Sequence, residues 1–284
     1  VNLFNQSSNP DIYAIGDAAE KSDELTGEST LIPLANIANR HGRITADHIA
    51  GKAVREVASI GTAIVKVFDL AVATTGWNAK RLVAAGKSFT EVHTHPNSHA
   101  TYYPGATQFS LKLIFDPKSG EILGAQGVGR DGVDKRIDVI ATALRAGVTA
   151  PALADLELAY APPFSSAKDP VNMLGYIAEN VISGITETAQ WSELDKYKSE
   201  GYAFIDVRSA SEFANGTIPG SVNIPVDEMR ERHTEINNKK VIVNCQVGQR
   251  GHVATMLLRS LGYDARNLDG GYLTWINSPA ANLK

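Results

Sequence analysis

The stretch that decides the fold of the last third of the chain reads Asn244-Cys245-Gln246-Val247-Gly248-Gln249-Arg250-Gly251-His252, and it contains the only cysteine. The β-branched run Val241-Ile242-Val243 before it predicts a short strand, and residues 253–261 after it have helical periodicity. Cys245 is therefore expected where a strand ends and a helix begins, on a turn that two glycines allow to close tightly. The backbone N–H groups of such a turn and the helix N-terminus would stabilise a thiolate or the terminal sulfur of a persulfide.

Arg250 adds a fixed positive charge to this turn, which favours a nucleophilic cysteine over the alternative of a buried structural one. The stretch resembles the active loop of rhodanese-type sulfurtransferases, a six-residue loop that begins with Cys and ends with Arg. Further motifs shared with that family are Phe204-Ile205-Asp206-Val207-Arg208 with Glu212-Phe213, Gly216-Thr217-Ile218-Pro219-Gly220-Ser221-Val222-Asn223-Ile224-Pro225, and Leu268-Asp269-Gly270-Gly271-Tyr272 with Trp275. The resemblance covers about residues 186–284 and implies an α/β domain with a parallel sheet.

The resemblance assigns catalytic roles to Cys245 and Arg250. The loop that would hold the persulfide also includes Gln246, Val247, Gly248, Gln249 and Gly251. Two positions depart from the family pattern: Thr217 stands where the family usually has His, and Gly251 stands where Ser or Thr is common. Neither departure removes the nucleophile. A phosphatase-like use of the loop is the competing interpretation, but phosphatase loops of this kind usually have one more residue between Cys and Arg.

The size and charge of the chain limit the classes of function to consider. With 284 residues it is long enough for two domains, and its net charge of −4 gives no indication of nucleic-acid binding. No apolar run approaches the roughly 20 residues that span a membrane, so no membrane contact is expected. A single cysteine excludes an intramolecular disulfide and fits a reducing compartment, which predicts a cytoplasmic protein.

The first 60 residues combine a glycine turn with a helix. Residues 11–20 predict a short buried strand, the turn and then small residues, with Asp17 directly after the turn. Asp17 would either cap a following helix or accept a hydrogen bond from a sugar or polyol hydroxyl. A helix is predicted from about Pro33 to Ile49, because proline suits a first helical turn and apolar residues recur through the segment.

This segment resembles the second flavin-contact segment of FAD-dependent pyridine nucleotide-disulfide oxidoreductases. The resemblance implies that Asp17 contacts the ribityl chain of FAD, with NAD(P)H as the reductant. It also implies that the helix start, formed by Leu34, Ala35 and Asn36, points at the flavin ring, where a helix N-terminus stabilises negative charge. The Gly-rich turn G-x-G-x-x-G, which holds the FAD pyrophosphate in this family, does not occur in the sequence. We therefore expect an N-terminal FAD- and NAD(P)H-binding portion to be missing, and this chain alone not to hold FAD.

Residues 61–184 alternate between strand and helix signals. The predicted elements are a strand running into a helix at 63–73, a hairpin of 109–115 and 121–128, and helices at about 134–146 and 170–183. The hairpin turn at 116–120 has the expected Asp, Pro and Gly. This α+β arrangement resembles the dimerisation domain of the same flavoenzymes, which implies a homodimer.

Two loops in this region carry tyrosines beside proline or glycine: Tyr102-Tyr103-Pro104-Gly105 and Ala159-Tyr160-Ala161-Pro162. Aromatic side chains could simply anchor these loops. The segments also resemble those of coenzyme A-disulfide reductases and their persulfide-reducing relatives. In that family two tyrosines of the partner subunit reach the CoA sulfur and the redox cysteine. The resemblance implies these catalytic roles for Tyr102 and Tyr160, with Tyr103 as the second choice for Tyr102.

Three histidines, His93, His95 and His99, lie close together in the sequence. A metal site is conceivable, since His is a common ligand. The alternative is a solvated loop, because Pro96, Asn97 and Ser98 lie between them and no cysteine or carboxylate cluster accompanies them. We therefore expect no metal site.

The resemblances imply three parts: a C-terminal remnant of an FAD-binding domain (1–60), an oxidoreductase dimerisation domain (61–184) and a rhodanese-like domain (185–284). The fold class is mixed, α/β and α+β. The predicted function is the C-terminal part of a flavin-dependent NAD(P)H:CoA-disulfide, CoA-persulfide or polysulfide reductase, with sulfur from small-molecule substrates carried on Cys245. The alternative is a dimerisation and scaffold module whose rhodanese domain only binds or senses sulfur.

Overall fold

The computed structural model of the chain describes residues 1–55 and 57–282. Its first part contains a turn of 3-10 helix at Gly16–Ala18, a small antiparallel sheet of β1 (Lys21–Ser22) and β2 (Ser29–Thr30), and helix α1 (Ala35–Ile49). Helix α1 begins two residues after Pro33 because Leu34 still has an extended backbone. It buries Ile37, His41 and Thr45 along one face.

The second part is a five-stranded antiparallel sheet covered by helices. Its elements are β3 (Ala63–Val67), β4 (Leu70–Gly76), α2 (Ala79–Ala84), β5 (Thr90–Thr94), β6 (Phe109–Phe115), β7 (Ile122–Gly129), α3 (Val133–Arg145) and α4 (Pro170–Ile182). The strand order is β3-β4-β7-β6-β5, so β5 forms one edge. Ile137 and Ile140 of α3 and Leu174 of α4 join the buried core of the sheet. The predicted hairpin β6–β7 and the predicted helices α3 and α4 are confirmed.

The expectation for residues 63–73 was wrong. Instead of a strand running into a helix, the chain forms the hairpin β3–β4, with Phe68 in the left-handed region at its turn (φ 52°). The Ala-rich end of the segment pairs with β7, where Ala71 is opposite Gly129 and Ala73 is opposite Gly127. Sheet pairing therefore overrides the helix propensity of alanine at these positions.

The third part is a five-stranded parallel sheet with helices between its strands. Its elements are β8 (Thr188–Ala189), α5 (Leu194–Ser199), β9 (Ala203–Asp206), α6 (Ala210–Ala214), β10 (Ser221–Asn223), α7 (Met229–Arg232), β11 (Lys240–Asn244), α8 (Gln249–Ser260), β12 (Asp264–Leu268), α9 (Gly271–Ile276) and α10 (Pro279–Asn282). The strand order is β10-β9-β11-β12-β8, so β11 is central and β8 forms an edge. Cys245 directly follows β11, which confirms its predicted place between a strand and a helix.

The second and third parts touch along β5. The backbone N–H of His93 donates to Asp269 Oδ1 at 2.9 Å, and the side chain of Gln190 donates to the carbonyl of Glu91 at 3.0 Å. The fold is thus mixed, as predicted, and the part with the five-stranded antiparallel sheet contacts the part with the five-stranded parallel sheet. None of the helices in the described part of the chain is long and apolar enough to cross a membrane.

Candidate functional site

Cys245 lies fully buried at the carboxyl end of the central strand β11. Its Sγ accepts a hydrogen bond from the backbone N–H of Gly248 at 3.2 Å. Gly248 has a left-handed backbone (φ 98°) and immediately precedes α8, so the loop turns back over the sulfur before the helix begins. The N-terminus of α8 therefore lies beside Cys245, where its partial positive charge stabilises an anionic sulfur.

Helix α9 holds two carbonyl groups of the loop. The backbone N–H of Tyr272 donates to the carbonyl of Cys245 at 2.7 Å, and that of Leu273 donates to the carbonyl of Gln246 at 3.0 Å. Gly271 makes this contact possible, because a Cβ there would lie less than 3.0 Å from the Cys245 carbonyl and its φ is 63°. The two carbonyls thus use the free N–H groups at the start of α9.

Arg250 connects the loop to Glu212. Its two terminal nitrogens donate to the two carboxylate oxygens at 2.8 and 2.6 Å. The hydrogen bond from Arg250 lowers the pKa of Glu212 to about 2, and the pKa of Arg250 is raised, first by Glu212 and further by Cys245. Arg250 thus stands between a fixed carboxylate and the sulfur as a permanent cation.

A buried ion pair supports the loop from the side of β9. Asp206 and Arg208 are almost completely buried, and Arg208 Nη2 donates to Asp206 Oδ2 at 2.6 Å. Arg208 Nη1 also donates to Gln246 Oε1 at 3.0 Å. Thr217 donates its hydroxyl to Asp206 Oδ2 at 2.9 Å, so this departure from the family pattern still satisfies the carboxylate. In the sequence, Asp206 and Arg208 were recognisable only as family markers, and this support of the loop was not predicted.

Asn267 is a second supporting residue that the sequence did not reveal. Its Nδ2 donates to the carbonyl of Gly248 at 3.1 Å, and its Oδ1 lies against Gly251. A Cβ at position 251 would come within less than 3.0 Å of that oxygen. Gly251, the second departure from the family pattern, is therefore the residue that makes room for Asn267. No local signal predicts this, because Asn267 comes from the neighbouring strand β12.

The structure brings Tyr102 and Tyr160 together. Their hydroxyl oxygens are 2.9 Å apart, and this hydrogen bond raises the pKa of Tyr160. The two residues are 75% and 46% exposed, which does not fit side chains that anchor loops in a core. Tyr103 instead packs edge-on against His99, with ring centroids 5.7 Å apart.

Asp17 and the start of α1 lie next to each other on an open face. Asp17 is exposed within the turn Gly16–Ala18, whose Gly16 packs against Ala38 of α1. The buried Lys21 fixes the turn by donating to the carbonyls of Gly16 and Ala19 at 2.6 and 2.5 Å.

Leu34, which precedes the first residue Ala35, makes no side-chain hydrogen bond to α1, and Asn36 Oδ1 accepts the N–H of Ile37 at 2.8 Å. The first N–H groups of α1 therefore lie beside exposed Ala35 and Asn36. An exposed carboxylate beside an exposed helix N-terminus fits the polyol chain and ring edge of a flavin. Asp17 does not cap α1, so that alternative role is wrong.

The expectation of a solvated histidine loop was wrong for two of the three residues. His93 Nδ1 lies 2.6 Å from Asp269 Oδ2, and His95 Nε2 lies 2.7 Å from the hydroxyl of Thr274. Both therefore belong to the contact between the two sheets, beside a cavity of about 510 Å³. Within residues 1–55 and 57–282, no group of three or more His, Cys, Asp or Glu side chains is placed to hold a metal ion.

Comparison with known proteins gives two family matches in the order of the two sheets. Residues 62–170 match the dimerisation domain of the pyridine nucleotide-disulphide oxidoreductases, and residues 189–278 match the rhodanese-like domain. The chain is 38% identical to the coenzyme A disulfide reductase of Staphylococcus haemolyticus over 173 residues, which are 61% of this chain and 39% of that protein. The chain thus spans about two fifths of that relative's length.

Two solved structures resemble nearly the whole chain. Reduced Bacillus anthracis CoADR-RHD matches with a TM-score of 0.93 and 51% identity, over 97% of this chain and 50% of that one. The NAD-dependent persulfide reductase from A. fulgidus matches with a TM-score of 0.88 and 38% identity, again over 97% and 50%. Both matches run through both sheets, so the chain carries the dimerisation domain of the pyridine nucleotide-disulphide oxidoreductases followed by a rhodanese-like domain.

Proposed function

We propose that Cys245 carries sulfane sulfur as a persulfide, within a longer flavin-dependent NAD(P)H:CoA-disulfide or CoA-persulfide reductase. The observation that carries the proposal is the hydrogen bond from Gly248 N–H to Cys245 Sγ, at the start of α8 and beside Arg250. The same groups that stabilise a thiolate also stabilise the terminal sulfur of a persulfide. Gln246, Val247, Gln249 and Gly251 complete the loop in this proposal.

The transfer has two steps when thiosulfate is the donor and cyanide the acceptor. The Cys245 thiolate attacks the outer sulfur of thiosulfate, the S–S bond to sulfite breaks, and sulfite leaves with the electron pair. Cyanide then attacks the terminal persulfide sulfur, which forms thiocyanate and returns the thiolate. Each step passes one neutral sulfur atom between nucleophiles, so no external oxidant or reductant is needed. The Gly248 N–H and the Arg250 guanidinium stabilise the anionic sulfur throughout.

The other parts of the chain would serve the reductase. In this proposal residues 1–60 belong to an FAD-binding domain, residues 61–184 form the interface of a homodimer, and residues 185–284 form the sulfur-carrying unit. A bound flavin supplies the electrons that NAD(P)H provides. Asp17 would hold its ribityl chain, while the start of α1 at Leu34, Ala35 and Asn36 would lie at its ring edge. The coenzyme A disulfide reductase relatives and the persulfide reductase support the choice of substrate class.

The paired phenols would act on the coenzyme A sulfur. Because the Tyr102 and Tyr160 hydroxyls are 2.9 Å apart, one phenol can donate to the other while the second donates to a thiolate. A phenol in this position can also return a proton to the departing sulfur. We propose that the pair serves the active site of the partner subunit.

Cys245→Ser in the 284-residue chain tests the proposal. The variant should form no thiocyanate from thiosulfate and cyanide, because Cys245 is the only cysteine and serine cannot carry sulfane sulfur. Its thermal unfolding should match the wild type, since the two side chains have nearly the same volume. Thiocyanate production at the wild-type rate by the folded variant would refute the sulfur-carrying role.

A further inference from the structure

The strand β5 holds the segment that precedes α9 through a two-point contact. Asp269, which is 3% exposed, accepts the backbone N–H of His93 at 2.9 Å through Oδ1. Its Oδ2 lies 2.6 Å from His93 Nδ1. Because an ionised carboxylate only accepts hydrogen bonds, the proton of this contact lies on Nδ1. His93, in the second part of the chain, thus fixes both carboxylate oxygens of Asp269, which is buried in the third part.

His95, two residues after His93, makes a second contact with the third part of the chain. Its Nδ1 lies 2.8 Å from the Ser110 hydroxyl, and its Nε2 lies 2.7 Å from the Thr274 hydroxyl in α9. Burial lowers the pKa of His95 to about 4, so the ring is neutral near pH 7 and each nitrogen needs a partner of the opposite kind. The two hydroxyls, which can donate or accept, meet that need.

The contact is close enough to exclude a side chain at Gly270, which lies between Asp269 and Thr274. A Cβ on Gly270 would lie 2.8 Å from the Cβ of His93, so position 270 has no room for a side chain. The match to Bacillus anthracis CoADR-RHD, with a TM-score of 0.93 over 97% of the chain, extends across this contact. The same placement of the two units therefore exists in a crystal structure.

Helix α9 connects the two histidine contacts to the Cys245 sulfur. This helix begins at Gly271, two residues after Asp269. Its N–H groups at Tyr272 and Leu273 hold the carbonyls of Cys245 and Gln246. Those two bonds fix the backbone plane of the loop whose Gly248 N–H donates to Sγ. A shift of the start of α9 would therefore tilt the loop and weaken its hydrogen bond to the sulfur.

We propose that His93 and His95 of the dimerisation domain are positioning residues for Cys245 of the rhodanese-like domain. They fix the start of α9, and α9 fixes the loop. This inference rests on the proposed sulfur-carrying role of Cys245. Neither histidine touches the sulfur, so their loss should change how fast Cys245 reacts and leave the affinity for thiosulfate nearly unchanged.

The test compares His93→Ala, His93→Asn and the matched control His99→Ala in the full chain. His99 lies on the same segment, but among the described residues its ring hydrogen-bonds only to the neighbouring Ala100 carbonyl and packs against Tyr103. We expect His93→Ala to lower kcat for thiosulfate:cyanide transfer about tenfold with KM nearly constant. His93→Asn should recover most of that loss, because its amide N–H replaces Nδ1–H. His99→Ala should match the wild type.

A second readout does not depend on turnover. Since Cys245 is the only cysteine, the rate of alkylation by iodoacetamide reports on this sulfur alone. The alkylation rate should fall in His93→Ala and recover in His93→Asn. If His93→Ala does not fold, Thr274→Val replaces it, because valine keeps the volume and removes only the hydroxyl that bonds His95.

The outcomes separate the two proposals. Wild-type kcat and alkylation rate in folded His93→Ala, or in Thr274→Val if it is used, would overturn the positioning role. A loss in His93→Ala that His93→Asn does not recover would also overturn it, since packing alone would then explain the loss. If Cys245→Ser keeps full activity, the sulfur-carrying function fails, and the alkylation rates alone decide whether the histidines position Cys245.

Discussion

Gly251→Ser tests whether the departure of this chain from the rhodanese pattern is compensated by Asn267. The added Cβ would lie less than 3.0 Å from Asn267 Oδ1, and Asn267 is only 7% exposed, so it cannot move into solvent without breaking its bond to Gly248. Overpacking a buried site costs about 1–3 kcal/mol. The higher helix propensity of serine returns about 0.5 kcal/mol. We expect a net loss of about 1–2 kcal/mol in the free energy of unfolding.

The second half of this prediction is a double-mutant cycle. Asn267→Ala alone should cost about 0.5–1.5 kcal/mol, because it removes one hydrogen bond to the Gly248 carbonyl, which keeps the backbone N–H of His252 as a partner. In the Asn267→Ala background, Gly251→Ser no longer meets the amide and should be neutral or slightly stabilising. The cycle should therefore give a coupling energy of about 1–2 kcal/mol in favour of the double variant.

Urea denaturation of the four proteins measures the cycle, with Gly42→Ser as the control. Gly42 lies inside α1, and an added Cβ there would meet open space, so serine should stabilise the chain by about 0.5 kcal/mol. Additive effects of Gly251→Ser and Asn267→Ala would refute the compensation. A Gly251→Ser protein as stable as the wild type would refute the overlap itself.

Three further outcomes follow from the same loop and from the tyrosine pair. Glu212→Gln should lower the free energy of unfolding at pH 7 by about 1–2 kcal/mol. Its pKa falls from 4.5 to about 2 on folding, which corresponds to about 3 kcal/mol before its 34% exposure is allowed for. Because the folded-state pKa is depressed, the difference should be complete above about pH 5 and shrink as the pH falls toward 2; denaturation curves with a pH-independent difference would contradict this. Gly271→Ala should lower thiosulfate:cyanide activity at least tenfold, since its φ is 63° and its Cβ would overlap the Cys245 carbonyl; unchanged activity would show that α9 does not hold the loop. In a longer protein that contains the flavin and redox cysteine, Tyr102→Phe should slow reduction of CoA-linked substrates about tenfold to hundredfold, with rhodanese activity as the internal control.

The sulfur loop could be predicted from the sequence because its determinants are local. The β-branched strand before Cys245, the glycine at 248 and the helical run after it lie within about 20 residues, and each has a direct conformational meaning. The shared role of Tyr102 and Tyr160, which are 58 positions apart, was implied by the family resemblance, whereas the hydrogen bond between their hydroxyls is seen only in the structure.

The features that the sequence did not predict depend on distant partners. His93 looked like part of a solvated loop because its partner, Asp269, is 176 positions away. Asn267 occupies the space beside Gly251 from a different strand, and no pattern in either segment marks the contact. The hairpin at 63–76 was misjudged because the pairing of Ala71 and Ala73 with β7 outweighs their local preference for helix.

The short strand β8 has a consequence for where the C-terminal unit can be separated. Thr188 and Ala189 cover the outer side of β12, and the carbonyls of Glu187 and Ala189 accept the backbone N–H groups of Asn267 and Asp269 at 2.9 and 3.0 Å. A chain shortened to begin after Ala189 would leave those donors on an open sheet edge. Open edges recruit strands from other molecules and lead to aggregation. An independent sulfur-carrying unit that does not aggregate should therefore begin before Glu187, so that Glu187 and Ala189 keep their hydrogen bonds to β12.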